Sequence, residues 1–272
     1  MRAGIGVLAA SLLLQGSRLD RERNPDRLEA ASVAIAASTD AAAMADLARH
    51  LGQRGYLQRL DPGSNVTRLG HVFRTLAEHP SPSAESLCIV VAGSAEFNEV
   101  PARMNFLLNA LAAVRPMSEP AAKIFRTSSR SGFLEVDGPL LAANASPRAL
   151  VVLAELLRDE SIDAAQRVSI AHWGLLPNRT NPDVVAMCDK VLSAGVSRDV
   201  EIGILESLYD YQPRQWFSLR AGQPSPPSWN TASPAARDAL QSLAASRTGR
   251  SDLPPALRAA MENSLAQMRR LP

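Results

Sequence analysis

The sequence predicts an all-α protein built from stacked pairs of antiparallel helices, and three observations support that prediction. Five times along the chain, a Pro typical of a helix start is followed 16 to 18 residues later by an acidic residue typical of the start of a second helix. Residues that favour helices, chiefly Ala, Leu and Arg, dominate the composition, whereas aromatic residues make up only 4%. The first helices also carry an apolar stripe on one face. We therefore expect almost no strand.

The stripe is visible when the five repeats are aligned on their Pro. The pairs are Pro82 with Glu99, Pro120 with Asp137, Pro147 with Asp163, Pro182 with Asp199, and Pro234 with Asp252. Six residues after the Pro the sequence has Cys88, Arg126, Leu153, Cys188 and Leu240, and nine residues after it has Val91, Ser129, Leu156, Val191 and Leu243. Four of the five residues are apolar at each position. Positions three apart share one helix face, so this face is expected to be buried.

Two regions precede the repeats. Segment 1–23 contains an apolar run at 3–14, interrupted by Ser11, with Arg2 before it and a charged stretch at 18–27 after it. This resembles an export signal or an anchor, but no small-residue cleavage pattern follows, and the run is shorter than the ~20 residues that span a bilayer. A plain buried helix is the alternative, and both a cytoplasmic and an exported or membrane-attached location stay open. Membrane contact is expected only through residues 1–17. Region 24–80 is predicted to hold three helices, 25–37, 40–51 and 65–77, as an N-terminal cap.

Region 81–212 is predicted to hold the helix pairs. The clearest pair has helices at 149–157 and 164–176, with Pro177 ending the second. The next begins at Asn181 and Pro182, where Asn caps the helix and Pro occupies its first turn. The pair at Pro120 departs from the pattern, because Arg126 and Ser129 replace apolar residues and the later helix is expected to be cut short, between 139 and 145. Residues 213–232, rich in Pro, Gly and Ser, are predicted to form an insertion loop, and 233–272 a last helix pair.

On these paired-helix units, best seen at 146–211, the chain resembles the HEAT-like and armadillo-like α-solenoids. The resemblance covers about two-thirds of the chain and concerns the architecture alone. It implies a right-handed α-solenoid of stacked antiparallel helix pairs. The family shares a stacking pattern and no chemistry, so it assigns no functional residue here.

Composition and motifs argue against several kinds of site. The net charge is +2 and the charges are interspersed, so nucleic acid is not expected as a partner. Cys88 and Cys188 are expected to be small core residues in different repeats, too far apart for a disulfide. The four histidines lack metal-ligand spacing, and no nucleophile elbow or phosphate-binding loop occurs. We therefore expect no catalytic residue, metal or cofactor.

One segment stands apart as a candidate partner-binding patch. Residues 209–217 contain four of the twelve aromatic residues of the chain. Aromatic and Arg side chains anchor interfaces, so this patch is predicted to bind a partner. It consists of Tyr209, Tyr211, Arg214, Trp216 and Phe217. The alternative interpretation is that these aromatic side chains hold the insertion loop against the helices.

Three functions remain open at this stage. The first is a noncatalytic scaffold or adaptor whose helical-repeat surface binds a protein or peptide. The second is an enzyme on the same architecture, since some HEAT-like solenoids are DNA glycosylases that use Trp and an acidic residue. The only candidates here are Trp173, Trp216 and Asp210. Against it, the arginines are scattered along the repeats rather than gathered on one helix set. The third is a structural subunit of a cell-envelope complex, tethered by its N-terminus.

Overall fold

The computed structural model describes residues 19–63, 66–130, 134–209 and 229–271. This part of the chain contains fifteen α-helices, two short 3₁₀ helices and no β-strand. The all-α prediction is therefore confirmed for these residues. None of the helices described is both long enough and apolar enough to cross a membrane. The apolar run at 3–14 lies outside the described residues.

The chain forms two compact units, Met1–Ile124 and Phe125–Pro272, here called unit 1 and unit 2. The helices of unit 1 are α1 Pro25–Ser38, α2 Ala41–Leu51, α3 Arg54–Leu60, α4 Thr67–Glu78, α5 Pro82–Ala92, α6 Ala95–Asn98 and α7 Pro101–Ala113, and α8 Glu119–Arg130 contains the boundary. Those of unit 2 are α9 Leu134–Asn144, α10 Pro147–Arg158, α11 Ala164–Leu175, α12 Pro182–Ala194, α13 Arg198–Leu208, α14 Pro234–Ala245 and α15 Pro255–Arg269. The 3₁₀ helices are Leu176–Asn178 and Trp229–Thr231.

Most first helices start where the sequence predicts, because a polar side chain caps them and Pro fits the first turn. Ser81 accepts a hydrogen bond from the amide of Ala84 at 3.1 Å. Asn181 accepts one from Asp183 at 3.0 Å. Ser233 caps α14 in the same way. Each of these bonds satisfies an amide that the helix itself leaves without a partner.

The acidic residues expected to start the second helices lie near those starts. Asp163 is the N-cap of α11 and accepts a bond from Ala165 at 2.8 Å. Asp199 lies in the first turn of α13. Glu99 and Asp252 instead precede α7 and α15 by two and three residues. The helix starts therefore follow the predicted spacing to within about three residues, the usual uncertainty of a boundary.

One local expectation was wrong, and one helix was missed. Helix α9 is not confined to 139–145 but runs through Pro139, from Leu134 to Asn144. Pro139 is its sixth residue, so the helix loses one early amide bond, and α9 packs closely against α11. Helix α11, expected at 164–176, ends at Leu175, within one residue of the prediction, and Pro177 lies in the 3₁₀ helix that follows it. The seven-residue helix α3 was not predicted.

In unit 1, the largest helix contacts join helices that lie three places apart along the chain. Helix α4 packs between α1 and α7, and α2 packs against α5. The core holds fully buried aromatic side chains, among them Phe73 and Phe97, whose ring centres lie 5.6 Å apart. The helices of the predicted cap region 24–80 thus pack against α5 and α7.

In unit 2, the packing alternates along the chain. Helix α11 packs between α9 and α13, and α12 packs between α10 and α14. The helices therefore form two rows, an inner row of α9, α11 and α13 and an outer row of α10, α12 and α14. The inner row is the more deeply buried: all residues from 169 to 176 are buried. The outer row has one buried and one exposed face.

The aligned positions of the first helices have the predicted burial. The apolar residues at both positions are all buried: Cys88, Leu153, Cys188, Leu240, Val91, Leu156, Val191 and Leu243. Arg126, which breaks the pattern, is partly exposed and bonds through Nε to Glu155 at 2.7 Å. An ion pair with the neighbouring helix therefore takes the place of an apolar contact there.

Candidate functional site

The candidate patch begins in sequence directly after α13, and the structure describes one of its five residues, Tyr209. Tyr209 is fully buried, and its hydroxyl donates to the Leu240 carbonyl on α14 at 2.6 Å. Its own carbonyl accepts from Ser264 on α15 at 2.9 Å. Burial raises the pKa of the Tyr209 phenol, so it stays a neutral donor. Tyr209 thus joins α13, α14 and α15, and its ring is not presented to a partner.

The other four residues of the patch, Tyr211, Arg214, Trp216 and Phe217, lie outside the described residues. So does Asp210. The prediction that they bind a partner is therefore kept as a prediction. What the structure adds is the way in which the chain is held on either side of residues 210–228.

On the far side of that segment, Trp229 is buried against unit 2. The Arg179 guanidinium lies over its ring, 4.1 Å from the ring centre, and both residues are almost fully buried. A desolvated guanidinium over an indole is the favourable geometry for a cation–π contact. Tyr209 and Trp229, the described residues on either side of the segment, are therefore both held in the core of unit 2.

A second polar cluster surrounds Glu201 on α13. Its carboxylate accepts from Arg247 at 3.1 Å, from Arg250 at 2.5 Å and from Arg198 at 3.0 Å. Arg250 also binds Asp252 at 2.7 Å, and this hydrogen bond lowers the pKa of Asp252. Two carboxylates and three guanidinium groups leave one net positive charge. The cluster ties the turn between α14 and α15 to α13.

The inner row also carries a histidine and a carboxylate side by side. His172 on α11 lies 3.4 Å from Glu206 on α13, measured from Nε2 to Oε2, and both side chains are mostly buried. Trp173, one of the two tryptophans that the enzyme alternative could use, is the next residue and is also buried. The other two candidates of that alternative, Trp216 and Asp210, lie outside the described residues.

The arginines that an enzyme acting on DNA needs on one surface are distributed over different environments. Arg167 and Arg179 are buried, Arg148 and Arg158 are exposed, and Arg198 belongs to the Glu201 cluster. Two of the five are thus held inside the protein and one is neutralised by carboxylates. Binding to phosphates depends on exposed basic groups on one face.

The thiols offer no reactive group in this arrangement. Cys88 and Cys188 are free and fully buried, and burial raises the pKa of each thiol. A buried protonated thiol is a poor nucleophile. Among the described residues, no group of three or more His, Cys, Asp or Glu side chains is arranged to hold a metal ion.

Sequence reasoning did not find the Glu201 cluster or the contact between Arg179 and Trp229. The spacing of three between Arg198 and Glu201 indicates an ion pair on one helix. The other partners come from 46 to 49 residues further along the chain. Only the fold brings them together, so no local pattern predicts them.

Comparison with protein-family models, with curated proteins and with solved structures found no match to this chain.

Proposed function

We propose that this protein is a noncatalytic scaffold or adaptor that binds a protein or peptide through a surface formed by repeated helices. The observation that carries the proposal is the outer row of unit 2, where α10, α12 and α14 lie side by side over the buried inner row. Such a row offers a continuous surface built from equivalent positions of successive repeats.

The equivalent positions have the same exposure in four of the five repeats. Four residues after the Pro, the first helices carry Ser86, Val151, Ala186 and Asp238, which are exposed, whereas Ile124 in the repeat at Pro120 is half-buried. Val151 is 51% exposed, a high value for a large apolar side chain. The outer row of unit 2 thus presents small, apolar and charged groups in turn, a mixture suited to a protein or peptide surface rather than to a polyanion.

We further propose that the helix pairs belong to a right-handed α-solenoid of the HEAT-like or armadillo-like kind. The alternating packing of the rows in unit 2 supports this assignment. The segment after Tyr209 is proposed as a second element of the binding surface, with Tyr211, Arg214, Trp216 and Phe217 as its candidate contacts.

The test is affinity capture of the tagged protein from its native cells, with three variants of verified fold and equal expression. The first, V151D/A186D, adds charge to the outer row of unit 2. The second, Y211A/W216A, removes aromatic side chains from the segment. The third, S86D, changes the equivalent exposed position of unit 1 and is the matched control.

We expect a partner that is captured by the wild type and by S86D and is lost in V151D/A186D. Loss in Y211A/W216A as well would place the segment in the same binding surface. A partner retained by all three variants, or no partner for the wild type, would contradict the proposal.

A further inference from the structure

The last turn of α2 contains a buried histidine with a defined protonation state. His50 is fully buried, and its ring stacks on Tyr56 with the ring centres 5.2 Å apart. Its Nε2 lies 3.3 Å from Nη2 of Arg49. A guanidinium can only donate hydrogen bonds, so Nε2 accepts this one and carries no proton. The ring is therefore neutral, with its proton on Nδ1.

A carboxylate faces each nitrogen of this ring. Oδ2 of Asp46, one turn earlier on α2, is 3.5 Å from Nε2, and Oδ1 of Asp20 is 3.6 Å from Nδ1. Asp46 also binds the guanidinium of Arg49. Nε2 thus lies beside one group that can donate to it and another that can accept from it. Which group it bonds depends on whether Nε2 carries a proton.

The other groups around His50 come from the elements packed on α2. Helix α3 contributes Tyr56 and Arg59, and Arg59 also donates to the Leu19 carbonyl at 3.3 Å. The hydroxyl of Tyr56 bonds to Ser32 on α1 at 2.5 Å.

Burial and the neighbouring charges shift the pKa of His50 in opposite directions. Burial lowers the pKa of His50, Asp46 partly offsets this, and the positive charge of Arg49 lowers the pKa further. Asp20 and Arg59 act in opposite directions and are the smallest contributions. The ring is thus neutral near neutral pH and is protonated only in acid.

We propose that His50 is a proton-operated switch at the end of α2, in which a proton taken up from water by Nε2 displaces the Arg49 hydrogen bond. The new N–H then donates to Oδ2 of Asp46, while Nδ1–H faces Oδ1 of Asp20 at 3.6 Å, beyond hydrogen-bond distance. Two donors cannot share one contact, so Nη2 of Arg49 must move away from Nε2. The Arg49 side chain is 54% exposed and can move without disturbing the core. Acid would thus break the contact between Arg49 and His50 and place an imidazolium at Oδ2 of Asp46, while Oδ1 remains the oxygen that Arg49 binds.

The test is a ¹⁵N NMR titration of the full chain, in which the two ring nitrogens and the Arg49 side chain are followed from pH 7.5 downward. At neutral pH we expect the Nε2 signal of an unprotonated nitrogen and the Nδ1 signal of a protonated one. In acid, the Arg49 side-chain signal should change at the same midpoint as His50.

Three variants make the test specific. R49M keeps the aliphatic stem and removes the donor and the charge, so the His50 midpoint should rise by roughly half a pH unit or more. D46N removes the carboxylate charge that accepts the hydrogen bond from protonated Nε2, so the midpoint should fall. R54M, which changes another exposed arginine of unit 1, is the control and should leave the midpoint unchanged.

The proposal is overturned if Nε2 carries the proton at neutral pH. It is equally overturned if R49M and R54M give the same His50 midpoint, or if the Arg49 signal does not follow the titration.

Discussion

Two glycine contacts, one in each unit, reveal a difference in how the helices pack. In unit 2, a Cβ added to Gly174 on α11 would lie 2.9 Å from the backbone carbonyl of Gly138 on α9. In unit 1, a Cβ added to Gly70 on α4 would lie 3.1 Å from the ring edge of Phe106 on α7. The first contact is backbone on backbone, and the second is backbone on a side chain that can rotate. The contact between α9 and α11 in unit 2 therefore has less freedom to adjust than the contact between α4 and α7 in unit 1.

The charged groups compared in the two units also differ, because those in unit 2 are more deeply buried. In unit 2, Glu201 is mostly buried among its arginines, and Arg179 is almost fully buried over Trp229. In unit 1, Arg68 and Asp26 form a pair on the surface, where the Asp26 side chain is 79% exposed. Substitutions at matched positions should therefore lower the free energy of unfolding more in unit 2 than in unit 1. Four predictions, in order of decreasing size, test this comparison.

Replacing Trp229 by Ala should have the largest effect, a loss of about 3–5 kcal/mol in the free energy of unfolding. The substitution removes a large buried ring and leaves the Arg179 guanidinium without the surface it lies on. Trp229→Phe keeps a ring and should lose clearly less. Denaturant unfolding followed by circular dichroism measures both, and equal losses in the two variants would exclude a role for the ring.

Replacing Glu201 by Gln should lower the free energy of unfolding by about 2 kcal/mol. Removing one partner of a buried ion pair destabilises by roughly 3–5 kcal/mol, and the partial exposure of Arg198 and Arg250 reduces that value. The matched change in unit 1, Asp26→Asn, should give no measurable loss. High salt should also screen the ion pairs of Glu201 less than the exposed pair of Arg68 and Asp26. If both variants lose the same amount, the comparison of buried and exposed charges is wrong.

Replacing Tyr209 by Phe should lower the free energy of unfolding by about 1 kcal/mol, because the buried Leu240 carbonyl loses its donor. Tyr56→Phe in unit 1 should lose less. There the hydroxyl of Ser32 still donates to the Leu28 carbonyl at 2.6 Å, so no carbonyl is left without its bond. Equal melting temperatures for Tyr209→Phe and the wild type would mean that the bond to Leu240 adds no stability.

The smallest effect concerns pH and arises in unit 1. Because burial lowers the pKa of His50 below its ordinary value of 6.5, the folded state binds fewer protons than the unfolded state in mild acid. The stability contributed by neutral His50 is fully present above pH 6.5 and is lost as the pH falls through and below it. Unfolding measured from pH 7.5 to 5 should show this loss. In His50→Gln the loss should be smaller, and an equal slope would contradict the assignment.

The local features of the fold were predictable from sequence. The caps at Ser81, Asn181 and Ser233 and the buried positions of the first helices depend on residues close together in the chain, and the structure confirms them. Pro139 misled the prediction, because a proline early in a helix removes a single bond whose loss packing can offset.

The features that depend on long-range contact were not predictable. The partners of Glu201, the ring under Arg179 and the contact between Gly138 and Gly174 are each set by the packing of helices distant in sequence. Of the candidate patch, only Tyr209 can be placed, and its burial could not be distinguished from exposure by an aromatic-rich pattern alone.

The central structural claim is that α9 and α11 of the inner row are packed backbone on backbone at Gly138 and Gly174. The most direct test compares Gly174→Ala with Gly70→Ala by denaturant unfolding. Alanine gains about 1 kcal/mol in helix propensity at either site. At Gly70 this gain should offset the adjustment of Phe106, giving no net loss. At Gly174 we expect a loss of about 3 kcal/mol, because neither backbone can move aside. Equal free energies of unfolding for the two variants would contradict the account.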